Sequence, residues 1–102
     1  MAILRQPRPK TGLSKRLAAL YGTRSWKAYR KQLCRRRQLC ERCRERPADL
    51  VDHIVPVRSG TDWPAMLALF HDRANHQVLC RPCHDAKTAE DRKKYPETYR
   101  VK

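Results

Sequence analysis

The sequence predicts a small α+β domain that is stapled by a zinc ion. Three observations support this fold class: the chain has only 102 residues, short apolar stretches typical of strands lie between segments of helical periodicity, and two CxxC pairs flank those stretches. A chain of this length buries a modest hydrophobic core, and domains of this size commonly gain stability from a bound metal ion.

The distribution of residue types predicts one domain with a short extension at each end. Residues 1–12 contain two prolines, three basic residues and a glycine without periodicity, which is typical of a flexible basic arm. We expect the domain to span residues 13–96, with basic helices over 13–39 and a zinc-framed core over 40–95. Residues 97–102 form a predicted C-terminal tail.

The charge of the chain is strongly asymmetric. The net charge is +14, and residues 1–39 contain twelve Lys or Arg residues but no acidic residue. Such a charge attracts polyanions, with nucleic acid as the first expectation and an anionic membrane surface as the second. We found no apolar run of transmembrane length and no pattern typical of a signal peptide. The sequence therefore predicts a cytoplasmic protein. We expect no membrane binding either, because the apolar residues of the basic helix, Trp26, Tyr29 and Leu33, are better used in the core.

Two helices are predicted in the basic N-terminal part. The first helix starts near Leu13 and ends before Gly22, and the second follows Ser25, which we expect to be its N-cap. In the second helix the apolar residues fall on one side, and the basic residues that we expect to contact phosphate lie elsewhere: Lys27, Arg30, Lys31 and Arg35. The alternative is an ordinary solvated face, but exposed helices usually carry both signs of charge.

The remaining elements follow from short apolar patterns. Residues 50–57, "LVDHIVPV", read as a strand, and residues 75–80, "NHQVLC", predict a second strand. Between them, Thr61 or Asp62 is expected to cap a short helix, and a last helix should run from Pro82 to Pro96. Successive strand side chains point to opposite faces. Two polar neighbours in the first strand, Asp52 and His53, can therefore share one site only if the strand bends, bulges or ends there, or if the pair straddles its edge.

The cysteines predict a structural zinc site. Cys40-x2-Cys43 and Cys80-x2-Cys83 are separated by 36 residues, and each CxxC can form a turn that presents two thiolates to one tetrahedral ion. The alternative, two redox motifs or disulfides, fits an intracellular chain less well. The fifth cysteine, Cys34, is expected to be an ordinary half-buried thiol.

The polar residues between and after these cysteines form a recognisable array. The pattern "C-x2-C … DHI-x-P … G … N-x-Q-x-LC-x2-CH-x2-KT" over roughly residues 37–90 resembles the HNH family of endonucleases. The resemblance implies the ββα-metal fold, which is treble-clef-like, and a metal-dependent hydrolysis of DNA phosphodiester bonds.

The resemblance implies a role for each polar residue of the array. His53 matches the general base, Asn75 matches the residue that holds the loop and helps to orient that base, and Asp52 and His84 match ligands of a catalytic Mg²⁺ or Mn²⁺. Thr88 stands where some relatives have another metal-binding histidine, so we expect two protein ligands. His71 and His76 are competitors for these roles. Lys87 and Arg58 are expected to contact DNA, and for Lys87 the alternative is a solvated side chain.

These observations predict a DNA endonuclease of low sequence specificity. The family resemblance suggests a monomeric phage or prophage protein, acting in a bacterial host cell and linked to DNA packaging, with a terminase as a partner. The alternative is a non-catalytic zinc-binding module that binds nucleic acid. Asp52, His53, Asn75 and His84 favour the enzyme, because a binding module does not need these four residues.

Overall fold

The structure, a computed structural model, describes residues 12–96 and contains four α-helices and one two-stranded sheet. The predicted arm, apart from Gly12, and the predicted tail lie outside the described residues. The elements are α1 Gly12–Tyr21, α2 Arg24–Arg37, β1 Leu50–His53, α3 Trp63–His71, β2 His76–Leu79 and α4 Arg81–Lys94, with single 3-10 turns at Val57–Ser59 and Arg73–Asn75. Within residues 12–96 no helix is long and apolar enough to cross a membrane.

The N-terminal helices form as predicted, but the N-cap of α2 differs. The helix begins at Arg24, and Thr23 caps it by accepting a hydrogen bond from the backbone N–H of Trp26 at 3.2 Å. Ser25 was predicted as the cap, and this was wrong because its hydroxyl donates to the Thr23 Oγ1 instead. At the other end Gln38 takes a positive φ of 58° and its backbone N–H returns to the Cys34 carbonyl.

The two strands pair antiparallel, and the first is shorter than predicted. The register pairs Leu50 with Leu79 at one end and His53 with His76 at the other. β1 was expected to continue towards Val57, but its pairing ends at His53 because the Asn75 side chain takes over the backbone of Val55. The next residue, a proline, has no backbone N–H to extend the ladder.

The core lies where α1, α2 and α3 meet the end of the sheet. The buried side chains of this cluster are Leu17, Trp26, Val57, Met66 and Phe70. A second cluster is formed by Cys40, Leu79 and Cys80 at the opposite end of the strands. The sheet is therefore held by apolar packing at the end with the histidines and by the cysteines at the other.

Helices α3 and α4 start close to their predicted positions. Asp62, one of the two predicted caps, accepts a hydrogen bond from the Ala65 N–H at 2.9 Å. α4 begins at Arg81, one residue before the expected Pro82, which lies in its first turn. That position suits proline, since the first N–H groups of a helix have no partner within the helix.

Gly60 is predicted to be essential for the packing of α3. A Cβ added at this position would lie 2.8 Å from the Met66 backbone nitrogen and 3.1 Å from the Ala65 carbonyl carbon. We expect Gly60→Ala to lower the free energy of unfolding by about 1–3 kcal/mol, because the backbone of α3 must shift. Urea unfolding measures this change. Gly12→Ala is the matched control, since nothing lies within 4 Å of its added Cβ, and equal stability of the two variants would contradict the prediction.

Candidate active site and metal centre

The four predicted cysteine ligands come together in one cluster. The Sγ atoms of Cys40, Cys43, Cys80 and Cys83 all lie within 4.8 Å of one another, and those of Cys43 and Cys80 are 3.9 Å apart. A tetrahedral zinc ion with Zn–S bonds of about 2.3 Å separates its sulfur ligands by about 3.8 Å. The cluster is thus able to hold zinc, and none of the five cysteines forms a disulfide.

Backbone hydrogen bonds favour the thiolates of Cys40 and Cys43, whereas burial raises the pKa of Cys83 to about 12. Burial opposes ionisation of Cys40, but hydrogen bonds from the backbone N–H groups of Cys43, Cys80 and Arg42 outweigh it and lower the pKa of Cys40 to about 6. Thiolates are the form that binds zinc. Cys34 lies apart from the cluster and is half-buried, as expected, and burial raises its pKa.

The cluster joins the turn after α2 to the start of α4. Next to it, the backbone N–H of Glu41 donates to the Val78 carbonyl, and that of Asp49 donates to the Leu79 carbonyl. The first turn of α4 is therefore placed beside β1, which carries Asp52.

Asp52 and His84 lie opposite each other at this junction. The Asp52 Oδ1 is 3.8 Å from the His84 Nε2, which is too long for a hydrogen bond and within the reach of two ligands that each bind one ion at about 2.1 Å. The His84 Nδ1 is buried and has no hydrogen-bond partner among the described residues. The Asp52 carboxylate oxygen is a ligand that suits Mg²⁺ or Mn²⁺, and the His84 Nε2 that faces it offers a second donor atom.

The second oxygen of Asp52 has two protein partners. Its Oδ2 accepts hydrogen bonds from the Gln77 Nε2 at 3.0 Å and from the Lys87 Nζ at 3.0 Å. The carboxylate is thus fixed with one oxygen against β2 and α4 and the other towards His84. One oxygen remains for a cation.

Lys87 is not placed as the sequence suggested. It was expected to contact phosphate, but it is only 6% exposed, and its Nζ is bonded to Asp52, to Asp91 at 2.6 Å and to the His53 carbonyl at 3.0 Å. Burial opposes its charge, but the hydrogen bonds to Asp91 and Asp52 outweigh burial and raise the pKa of Lys87. Its ammonium therefore holds the site together from inside.

The His53 side chain points to the other face of β1. Its Nε2 is 3.1 Å from the Phe70 carbonyl oxygen, and because a carbonyl only accepts, Nε2 carries the proton and Nδ1 has the lone pair. The ring stacks on Trp26 with centroids 5.4 Å apart. Burial lowers the pKa of His53, which favours the neutral imidazole that a general base requires.

Asn75 clamps the chain that follows His53. Its Oδ1 accepts from the Val55 N–H at 2.8 Å, and its Nδ2 donates to the carbonyls of Val55 and Leu69 at 3.0 and 3.1 Å. This buried amide joins the exit of β1 to the end of α3. Such a contact agrees with the loop-holding role that the resemblance implies.

Asp52 and His53 point to opposite faces of β1, yet they line one cavity. The strand has no bulge and its pairing ends at His53, which is one of the arrangements expected to let the two residues share a site. The cavity has a volume of about 310 Å³, and its lining includes Tyr21, Asp52, His53, Arg58, His84 and Thr88.

The competing histidines lie elsewhere. His76 also donates to the Phe70 carbonyl, through Nε2 at 2.8 Å, and its Nδ1 is 2.6 Å from the Tyr29 hydroxyl. His76 and the exposed His71 line a different cavity, of about 300 Å³, that contains neither Asp52 nor His84. Neither residue reaches the candidate metal ligands.

The basic residues of α2 are exposed as expected. Lys27, Lys31 and Arg35 follow one another at four-residue spacing on the solvent side, with Arg30 beside them. No acidic residue occurs between Gly12 and Arg37. Arg58 is exposed at the lining of the first cavity. The structure thus leaves these five side chains free to contact a polyanion.

Several contributors to the site were missed in the sequence. Asp91 could have been found by its four-residue spacing from Lys87, which places both on one side of a helix. Gln77 stands opposite Asp52 in the register and required the strand pairing to be known. Tyr21 and the Phe70 carbonyl carry no local signal, since only the tertiary structure brings them to His53.

Zinc binding is expected to depend on each cluster cysteine. Cys80→Ser should lower the zinc content below one ion per chain and lower the melting temperature, because structural zinc contributes about 10 kcal/mol or more to small zinc domains. Metal analysis and thermal unfolding measure both effects. Cys34→Ser is the control, and an unchanged zinc content in Cys80→Ser would contradict the assignment.

Comparisons with known proteins confirm the resemblance and the fold class. A family model described as HNH endonuclease matches residues 40–90. The chain is also similar to the HNH endonuclease of the deep-sea thermophilic bacteriophage GVE2, whose crystal structure was determined with a manganese ion. The two sequences are 34% identical, the structures superpose with a TM-score of 0.61, and the match covers 81% of this chain and 89% of that one. None of the curated proteins matches the chain. The chain therefore belongs to the HNH endonuclease family and is a phosphodiester hydrolase.

Proposed function

We propose that the chain hydrolyses DNA with His53 as the general base and with one divalent cation held by Asp52 and His84. The observation that carries this proposal is that these three side chains line the same cavity. The manganese ion in the phage relative supports a divalent cation. Mg²⁺ or Mn²⁺ bound there would stabilise the negative charge that develops on the phosphate and on the leaving oxygen.

The protein groups around His53 prepare it to accept a proton. Its Nδ1 carries the lone pair, and the Phe70 carbonyl accepts the Nε2–H, so the imidazolium that forms is stabilised at once. Asn75 holds Val55 and hence the exit of the strand on which His53 lies. We infer that His53 takes the proton of an attacking water while Asn75 maintains the orientation of the base.

Asp52 is held in one orientation by its neighbours. The Lys87 ammonium and the Gln77 amide both donate to Oδ2, so this oxygen is fixed against α4 and β2. Oδ1 stays directed at His84 across 3.8 Å. With Thr88 in the place of a further histidine, we propose that two protein ligands hold the cation weakly and leave positions for water and phosphate.

We propose that α2 holds the DNA backbone. Lys27, Arg30, Lys31 and Arg35 supply positive charge without base-reading groups, and Arg58 extends this charge to the cavity. Contacts of this kind fix the backbone and carry no sequence information. Low sequence specificity is the consequence.

We also propose that the protein acts as a monomer in phage DNA packaging, with a terminase as partner, in the cytoplasm of a bacterial host. The support is the family resemblance together with the phage origin of the similar nuclease structure.

The catalytic proposal predicts that His53 is indispensable. In the presence of Mn²⁺ or Mg²⁺, His53→Ala should lower the rate of plasmid cleavage by about 100-fold or more, because general base catalysis contributes about 10²–10⁴-fold. Gel analysis of supercoiled, nicked and linear plasmid measures this rate. DNA binding and the circular dichroism spectrum should remain as in the wild type.

The exposed histidine His71 provides the matched control, and His71→Ala should cleave at the wild-type rate. Undiminished cleavage by His53→Ala would remove His53 from the mechanism. Absence of cleavage by the wild type with any divalent cation would favour a module that only binds nucleic acid.

The binding proposal predicts a change in salt dependence. The variant Lys27→Ala/Lys31→Ala/Arg35→Ala should bind duplex DNA more weakly. The slope of log K against log salt should fall by about 0.9 for each phosphate contact that is lost. Fluorescence anisotropy at several salt concentrations measures it. Alanine replacements of the exposed residues Arg92, Lys93 and Lys94 in α4 remove equal charge elsewhere, and an equal effect of both triple variants would contradict the role of α2.

A further inference from the structure

The lone pair of His53 faces a tyrosine hydroxyl. The Tyr21 hydroxyl oxygen lies 3.3 Å from the Nδ1 of His53, and both residues line the cavity that contains Asp52 and His84. Because Nδ1 is the acceptor, the hydroxyl donates to it. Tyr21 is the last residue of α1 and lies outside residues 40–90, which the family model matches.

We propose that Tyr21 is a positioning residue for the water that His53 deprotonates. This inference rests on the proposed function, because it requires His53 to be the base. A hydroxyl can both donate and accept a hydrogen bond. In the free protein the hydroxyl donates to Nδ1 over 3.3 Å, which is longer than a good O–H···N hydrogen bond. When the water binds, the hydroxyl releases Nδ1 and donates to the water oxygen, and the water donates to the single lone pair of Nδ1.

The same aromatic residues hold both members of the pair. The Tyr21 ring makes edge contacts with Trp26 and Phe70, with centroids 5.8 and 5.0 Å apart, and His53 lies against the same two rings. The hydroxyl is therefore set relative to Nδ1 before DNA arrives. A water held by two fixed partners loses less freedom on reaching the attacking geometry, which is the basis of rate gains by positioning.

The fold contains a natural control for this arrangement. Tyr29, His76 and the Phe70 carbonyl repeat the contacts of Tyr21, His53 and the same carbonyl, with the Tyr29 hydroxyl 2.6 Å from the His76 Nδ1. This second set lines the cavity that lacks Asp52 and His84. Removal of either tyrosine hydroxyl deletes the same kind of hydrogen bond, and only the one at Tyr21 should affect catalysis.

The kinetic test compares Tyr21→Phe with Tyr29→Phe. At saturating Mn²⁺, Tyr21→Phe should lower kcat by about tenfold, the effect of one hydrogen bond, and leave KM for DNA unchanged. Tyr29→Phe should keep the wild-type kcat. An unchanged or raised kcat in Tyr21→Phe, a change confined to KM, or equal losses in both variants would overturn the proposal.

A spectroscopic test separates this inference from the proposed function. In the zinc-loaded protein without Mg²⁺, Mn²⁺ or DNA, at alkaline pH, the ¹⁵N resonance of the His53 Nδ1 should move downfield in Tyr21→Phe, and that of His76 should move only in Tyr29→Phe. Unmoved His53 signals would overturn the contact itself, whatever the activity. If the wild type does not cleave DNA, the proposed function fails and the role of Tyr21 in positioning water fails with it, although this NMR contact remains measurable.

Discussion

The cysteine cluster is the constraint on which the rest of the structure depends. Cys80 directly follows β2 and is the N-cap residue of α4, so closing the cluster fixes the sheet and the last helix with a single set of bonds. The register that starts at Leu50 and Leu79 then places Asp52 two residues further along β1. The first turn of α4 is brought over the same strand, and His84 comes within 3.8 Å of Asp52. The separation between the two candidate metal ligands is therefore set by sulfur ligands outside the cavity.

A buried group of charges completes the link between β1 and α4. Lys87 connects Asp52, Asp91 and the His53 carbonyl, so one ammonium touches both halves of the Asp–His pair. Removing one partner from such a buried group is costly, because a desolvated charge is left behind. This contact also explains how two residues on opposite faces of a strand can both line one cavity. The backbone of one and the side chain of the other are held by the same nitrogen.

The features that were predictable from the sequence depend on local patterns. The CxxC turns, the helix periodicities and the Asp62 cap involve residues a few positions apart, and the array of polar residues between the cysteines identified the family. Ser25 was predicted as the N-cap of α2 in place of Thr23 because both residues have a hydroxyl within one turn of the helix start, and N-cap preferences do not distinguish them. The environment of Lys87 was misjudged because its position one helical turn after His84 suggested a phosphate contact, whereas its ammonium is paired with Asp52 and Asp91. The contacts of Tyr21 and of the Phe70 carbonyl with His53 depend on how α1 and α3 pack against the sheet, which local sequence patterns do not predict.

The C-terminal end of α3 has a positioning role that an ordinary long loop between two strands does not have. In its last turn the Leu69 carbonyl accepts from Asn75, and the Phe70 carbonyl accepts from both His53 and His76. Three side chains therefore pair with two carbonyl groups that have no partner within the helix. A residue added within this helix would rotate its end by about 100° and advance it by about 1.5 Å. The segment between the strands can therefore change in length only by whole helical turns if these contacts are to be kept. Loops at such positions usually tolerate insertions of any length.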